Sequence, residues 1–166
     1  MGVKIKTTKN DFPSMQKTVK ALKGKKVQVG CLEGEHAWLA AIHEYGCRIP
    51  VTPAMRAWFH YQGVHLKAST TEIVIPERSF LRAGYDKNRK DILEQVRLLE
   101  QDVLDGTMSA EQFLTQTGLL MASAIKDYAT DLRDPPNSGF TVERKGSSNP
   151  LWDTGQMIGG ITYKVE

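Results

Sequence analysis

Between Asp86 and Asp105 the apolar side chains Ile92, Val96, Leu99 and Val103 recur at steps of four, three and four. Residues three and four apart share one face at 3.6 residues per turn, so this stripe predicts a long amphipathic helix. The carboxylates of Asp91, Glu94, Glu100, Asp102 and Asp105 read as its solvated face. Gly106 ends the pattern, and Ser109 with Gln112 has the capping-box spacing that opens another helix. That second helix carries Leu114, Met121, Ile125, Tyr128 and Leu132 as far as the Pro135-Pro136 break. Two long amphipathic helices in succession must bury their apolar stripes against other elements, which constrains the rest of the chain to supply them.

The flanks alternate at a different period. Val3 and Ile5, then Val27 and Val29, alternate with Lys4, Lys6, Lys26 and Gln28, and Ile161, Tyr163 and Val165 do so at the far end. A period of two predicts strands with one buried face. Between the early strands, Phe12-Pro13 opens a short helix along which Met15, Val19 and Leu22 recur until Gly24. Trp38, Leu39, Ile42 and Tyr45 predict a helix over 36–45 with Gly46 as its C-cap, and residues 53–62 predict another beginning at Pro53. Val64, Leu66, Ile73 and Ile75 flank the polar tract Lys67 to Glu72, so residues 47–74 read as a β-rich insertion. Residues 134–150 hold three prolines and little apolar content, which predicts a long loop with a short strand at Phe140 to Arg144. Asp153 and Gln156 repeat the capping-box spacing, with Trp152 placed as a hydrophobic staple. Strands at both ends around a helical middle give an α+β class: a small, mostly antiparallel sheet from the N- and C-terminal strands, packed on the helical pair.

At 166 residues the chain is one domain's worth, 1–166, long enough to bury a core without disulfides or a structural metal. Its apolar runs fall short of a membrane span, and MGVKIKTTKNDF lacks the apolar stretch of a signal peptide, which predicts synthesis in a cytoplasm with Cys31 and Cys47 reduced. The net charge of +3 hides an asymmetry: residues 1–85 carry 13 Lys/Arg against 6 Asp/Glu, and residues 86–166 carry 9 against 13. Such polarity reads first as two solvated faces and, more sharply, as a subunit whose basic side meets a neighbour's acidic side.

Chemistry has little support in the pattern. His43-Glu44 begins like the zinc-protease motif H-E-x-x-H, but Cys47 stands where the second histidine belongs and no third ligand follows at a metal spacing. His36, His60 and His65 also lack metal-ligand spacing to one another, and neither a phosphate loop nor a nucleophile elbow occurs. A metal-dependent hydrolase is therefore the weaker rival. Lys17, Lys20, Lys23, Lys25 and Lys26, with Arg48 and Arg56, make a small basic-faced DNA-binding protein the better alternative, although no helix-turn-helix or aromatic RNA-binding signature accompanies them.

Four segments, taken in order, resemble the tail-completion or head–tail joining (neck) proteins of long-tailed bacteriophages, with their prophage and tailocin relatives. They are His43-Glu44-Tyr45-Gly46, Ile75-Pro76-Glu77-Arg78-Ser79-Phe80-Leu81-Arg82, Asp134-Pro135-Pro136-Asn137-Ser138, and Arg144-Lys145-Gly146-Ser147 through Pro150-Leu151-Trp152-Asp153-Thr154-Gly155-Gln156-Met157. Residues 47–74 separate the first two more widely than is usual in that family. The resemblance implies a non-enzymatic virion protein without a cofactor. It would form a ring, commonly sixfold, at the head-proximal end of a tail, contacting copies of itself, tail-tube proteins and head-connector or collar proteins. Neither a membrane nor specific nucleic-acid binding is implied, though channel DNA would pass nearby. Read from their own chemistry, Arg78, Arg82, Phe140, Arg144, Lys145 and Asp153 are the candidates for subunit or partner contact. Read for structure, Phe80 and Leu81 plug the core while Arg78 and Arg82 stay available for charge pairing.

Overall fold

The computed structural model describes residues 12–166, and the strand expected at Val3 and Ile5 lies outside them. The elements are α1 (Phe12–Leu22), β1 (Val27–Gly30), α2 (Gly34–Tyr45), β2 (Cys47–Pro50), α3 (Pro53–Tyr61), β3 (Glu72–Ile75), α4 (Leu81–Leu104), α5 (Ala110–Asp131), α6 (Gly139–Lys145), α7 (Gln156–Gly159) and β4 (Thr162–Val165). The class is α+β, as the pattern predicts.

Helices α4 and α5 pack along each other, and the capping box is formed: Ser109 Oγ accepts from Gln112 N while Gln112 Oε1 accepts from Ser109 N. β4 closes on β1 in an antiparallel ribbon with Val27 opposite Val165 and Gly30 opposite Thr162. This ribbon lies across α5. It can approach closely because α5 presents Gly118 beneath Tyr163; a Cβ there would sit 2.4 Å from the tyrosine ring. Along α5 the buried residues are Leu114, Gly118, Ala122, Ile125 and Ala129, mostly small, so the backbone itself forms the floor of the core. Phe80, Leu132, Leu151, Met157, Ile158 and Ile161 fill the space above it. The acidic face of α4 is exposed at all five predicted carboxylates.

The structure departs from the expected elements and caps at five places. Helix α2 forms and ends at Gly46 with φ of 72°, but it buries Ala40 and Glu44 and turns Trp38 outward, 70% exposed. Helix α4 begins at Leu81, ahead of Asp86, because its N-terminus is satisfied by a residue distant in sequence. The insertion is a ribbon of β2 and β3 in register Cys47 to Ile75, closed around α3; Val64 and Leu66 are not in a strand. Residues 139–145 form helix α6 rather than loop and strand, with Ser138 Oγ accepting from Thr141 N and Gly146 in the left-handed C-cap conformation. Asp153 does not cap α7: Gly155 occupies the N-cap position, with no side-chain cap bond, and Trp152 lies against Gly155.

Candidate functional site

The segments that carry the family resemblance meet in one polar hub. It is built around Glu44, which is 2% exposed near the end of α2. Its Oε2 accepts from the backbone amides of Phe80 and Leu81, each at 2.8 Å. Its Oε1 accepts from Ser79 Oγ at 2.8 Å, Arg82 N at 3.1 Å and Arg82 Nε at 2.8 Å. The first N–H groups of any helix lack intrahelical acceptors, and the helix dipole favours an anion there. Glu44 therefore caps the 24-residue α4 from another element. Burial on its own raises the proton affinity of this carboxyl, but the Arg82 guanidinium, the Leu81 and Arg82 amides and the Ser79 hydroxyl outweigh it and hold Glu44 below the ordinary carboxylate value. With both oxygens saturated, Glu44 is an anchor rather than a general base.

Arg82 closes the near side of the hub. It donates to the Glu44 carboxylate, to Glu44 O at 3.0 Å and to Glu77 Oε1 at 2.8 Å, with its guanidinium 4.7 Å from the Tyr45 ring centroid. Those acceptors raise its already high proton affinity. Gly46 is needed beside it, because a Cβ there would stand 2.9 Å from both Glu77 N and Ile75 O.

Arg78 closes the far side and corrects the expectation that it stays free for pairing. It is 4% exposed and donates to Pro135 O at 2.7 Å, Pro136 O at 3.0 Å and Asn137 Oδ1 at 3.1 Å. No carboxylate is among those acceptors; the charge is distributed over carbonyl dipoles, and burial lowers its proton affinity. The Asp134-Pro135 peptide is cis. Arg78 N donates to His43 O at 2.7 Å, tying α2 to the same turn. His43 itself is half-buried. Burial first, then the charges of Arg78 and Lys145, push its imidazole down to about 4, so it is neutral near pH 7.

Asn149 extends the hub to the fourth segment, a role the sequence signals only through the Asn-Pro turn dipeptide. Its side chain donates to Thr130 O at 2.7 Å and accepts from Leu151 N and Trp152 N, while its carbonyl accepts from Lys145 Nζ at 2.9 Å and Asn137 Nδ2 at 3.4 Å. Burial and Arg78 lower the proton affinity of Lys145, and Asp153 opposes them.

The six predicted contact residues thus separate. Arg78 is inside the hub and Arg82 at its rim. Lys145 and Asp153 share the wall of a cleft of roughly 250 Å³ with His36, His43 and Gln156. Phe140 and Arg144 turn toward the insertion: the Phe140 ring lies 6.1 Å from Phe59, and the Arg144 guanidinium 5.2 Å from the Trp58 centroid. No family model, curated protein or solved structure gives a significant match to this chain. Among the described residues, no helix is long and apolar enough to cross a membrane.

Proposed function

We propose that this chain is a structural subunit of a phage-type tail, a tail-completion or head–tail joining protein that acts by assembling into a ring. The observation that carries the reading is the hub. Segments spread from His43 to Met157 carry the resemblance, and they interlock through Glu44, Arg78 and Asn149. Residues that satisfy one another across the chain specify a fold, so their joint presence supports kinship of architecture with that family more strongly than four separate short matches would.

Around this rigid centre lie the features a subunit needs. The charge of the two halves is opposite, and the exposed lysines Lys17, Lys20, Lys23, Lys25 and Lys26 lie at one end of the sequence while the exposed carboxylates of α4 lie beyond residue 85. A head-to-tail interface between such surfaces closes into a ring when its rotation closes. The same lysines suit a surface near channel DNA without base-specific contacts.

A reconstruction of the particle that contains this chain tests the proposal. The expected result is a ring on the tail axis at the head-proximal end, contacting tail-tube and connector or collar subunits. A single asymmetric copy away from the axis, or absence from the particle, overturns it. A sequence-independent, salt-sensitive DNA affinity of the isolated chain without particle incorporation would favour the small DNA-binding protein instead.

A further inference from the structure

The insertion holds a pair of histidines that the proposed function does not use. His60 lies near the end of α3 and His65 in the connection that follows, and both are exposed. Their Nδ1 atoms face each other at 2.8 Å, with ring centroids 4.6 Å apart and planes inclined by 52°. In the metal-free pair, one Nδ1 must carry a hydrogen and the other must accept it. Replacing that single proton by a cation leaves two imidazole nitrogens as ligands.

We propose that His60 and His65 form a two-histidine chelate for a divalent late transition metal of tetragonal or octahedral preference, the class of Ni²⁺ and Cu²⁺. The separation suits that class. Two metal–nitrogen bonds of about 2.0–2.1 Å at about 90° place the nitrogens roughly 2.9 Å apart, whereas a tetrahedral angle would require roughly 3.4 Å. The observed 2.8 Å, the span of an N–H···N hydrogen bond, is closer to the cis spacing, and the two exposed rings must turn to aim both lone pairs at one ion.

Backbone hydrogen bonds fix the turn that carries the two histidines. Val64 N donates to Phe59 O at 2.8 Å, Gly63 N to His60 O at 3.0 Å and Gln62 N to Trp58 O at 3.0 Å, and Gly63 takes the positive φ of 78° that the turn requires. Arg56 then clamps the rest of the connection to α3 by donating to Leu66 O, Lys67 O and Thr70 O. A preorganised pair loses less entropy on chelation than two free histidines. The Arg56 charge, on the same cleft wall as both histidines, opposes a second cation and weakens the site. Among the described residues no group of three or more His, Cys, Asp and Glu side chains converges to hold a metal, so water or a docked molecule fills the remaining coordination positions.

The test is calorimetric titration of the tag-free full chain with NiCl₂ at pH 7.5, beside His60→Ala and His65→Ala, with each variant's fold checked by circular dichroism. One Ni²⁺ per chain is expected, weakened at least tenfold in each variant, with Cu²⁺ binding tighter than Ni²⁺ as the general order of divalent affinities requires. Paramagnetic Ni²⁺ should also broaden the ring resonances of His60 and His65 before those of His36 and His43. No saturable binding, binding unchanged in either variant, or broadening that begins at His36 or His43 overturns the chelate.

Discussion

Glu44 is a charged side chain among core residues, and its consequences belong to the residue scale. Replacing it by Ala removes the buried carboxylate from its half-exposed Arg82 partner and leaves the Phe80 and Leu81 amides without their acceptor. The expected cost, carried by the orphaned amides, is about 2–3 kcal/mol, visible as a lowered urea midpoint. The same carboxyl sets part of the acid limb of stability. Because its proton affinity is depressed in the fold, its contribution is full above the unfolded-state value and is lost as pH falls through the lower folded value. His43 acts in the same direction at higher pH: held neutral down to about 4, it takes no proton while the unfolded chain does, so stability falls from pH 6.5 toward 4. Urea melts from pH 7 to 3 should therefore slope less in Glu44→Gln below the ordinary carboxylate range, and less in His43→Gln between pH 6.5 and 4. Asp153 gives the opposite expectation. An N-cap there would be worth about 1 kcal/mol, but with Gly155 in the cap position Asp153→Ala should change stability by no more than about 0.5 kcal/mol. Coincident melts would agree with the observed cap; a clear loss would mean that Asp153 supports α7 after all.

At the scale of elements, the contact between the β1–β4 ribbon and α5 depends on one missing methyl group. Gly118→Ala places a Cβ within 2.4–2.9 Å of three Tyr163 side-chain atoms, and neither the ring nor the helix backbone can yield by that much without displacement. Overpacking of this kind costs about 1–3 kcal/mol, and here it outweighs the helix propensity of about 1 kcal/mol that alanine gains over glycine. Thermal denaturation of Gly118→Ala should show a lowered midpoint, and a raised one would show that the ribbon is not seated as described. Helix α6 makes the second element-scale case. Its Phe140 and Arg144 reach Phe59 and Trp58 on α3, so this short helix and the insertion support each other. Substituting a Gly/Ser linker for Phe140 to Lys145 should speed amide exchange selectively in α3 while leaving α4 and α5 protected. Unchanged exchange in α3 would show that the two segments are independent.

For the whole molecule, the division between what periodicity reveals and what it conceals follows from the range of the forces involved. The helical stripes of α4 and α5, the Ser109 capping box, the Gly46 stop and the alternation that pairs β1 with β4 are written in local spacing, because helix and strand periods are properties of a few neighbouring residues. That information determined the α+β class and the order of its main elements. Periodicity misplaced the inward face of α2, since Trp38 and Tyr45 are the larger apolar groups and Glu44 the charged one. Burying Glu44 becomes favourable only once Ser79 and the first amides of α4, some 35 residues away, supply its hydrogen bonds. Residues 134–150 read as loop because their apolar anchors are few; α6 gains its packing from Phe59 and Trp58 on a distant helix. Arg78 looked like a surface cation for the same reason, since the carbonyls that receive it belong to a proline turn 57 and 58 residues on. Local pattern in the sequence thus determined the elements and their class, while the tertiary structure alone decided which polar groups are buried, because the desolvation of a charge is offset only by partners that folding brings to it.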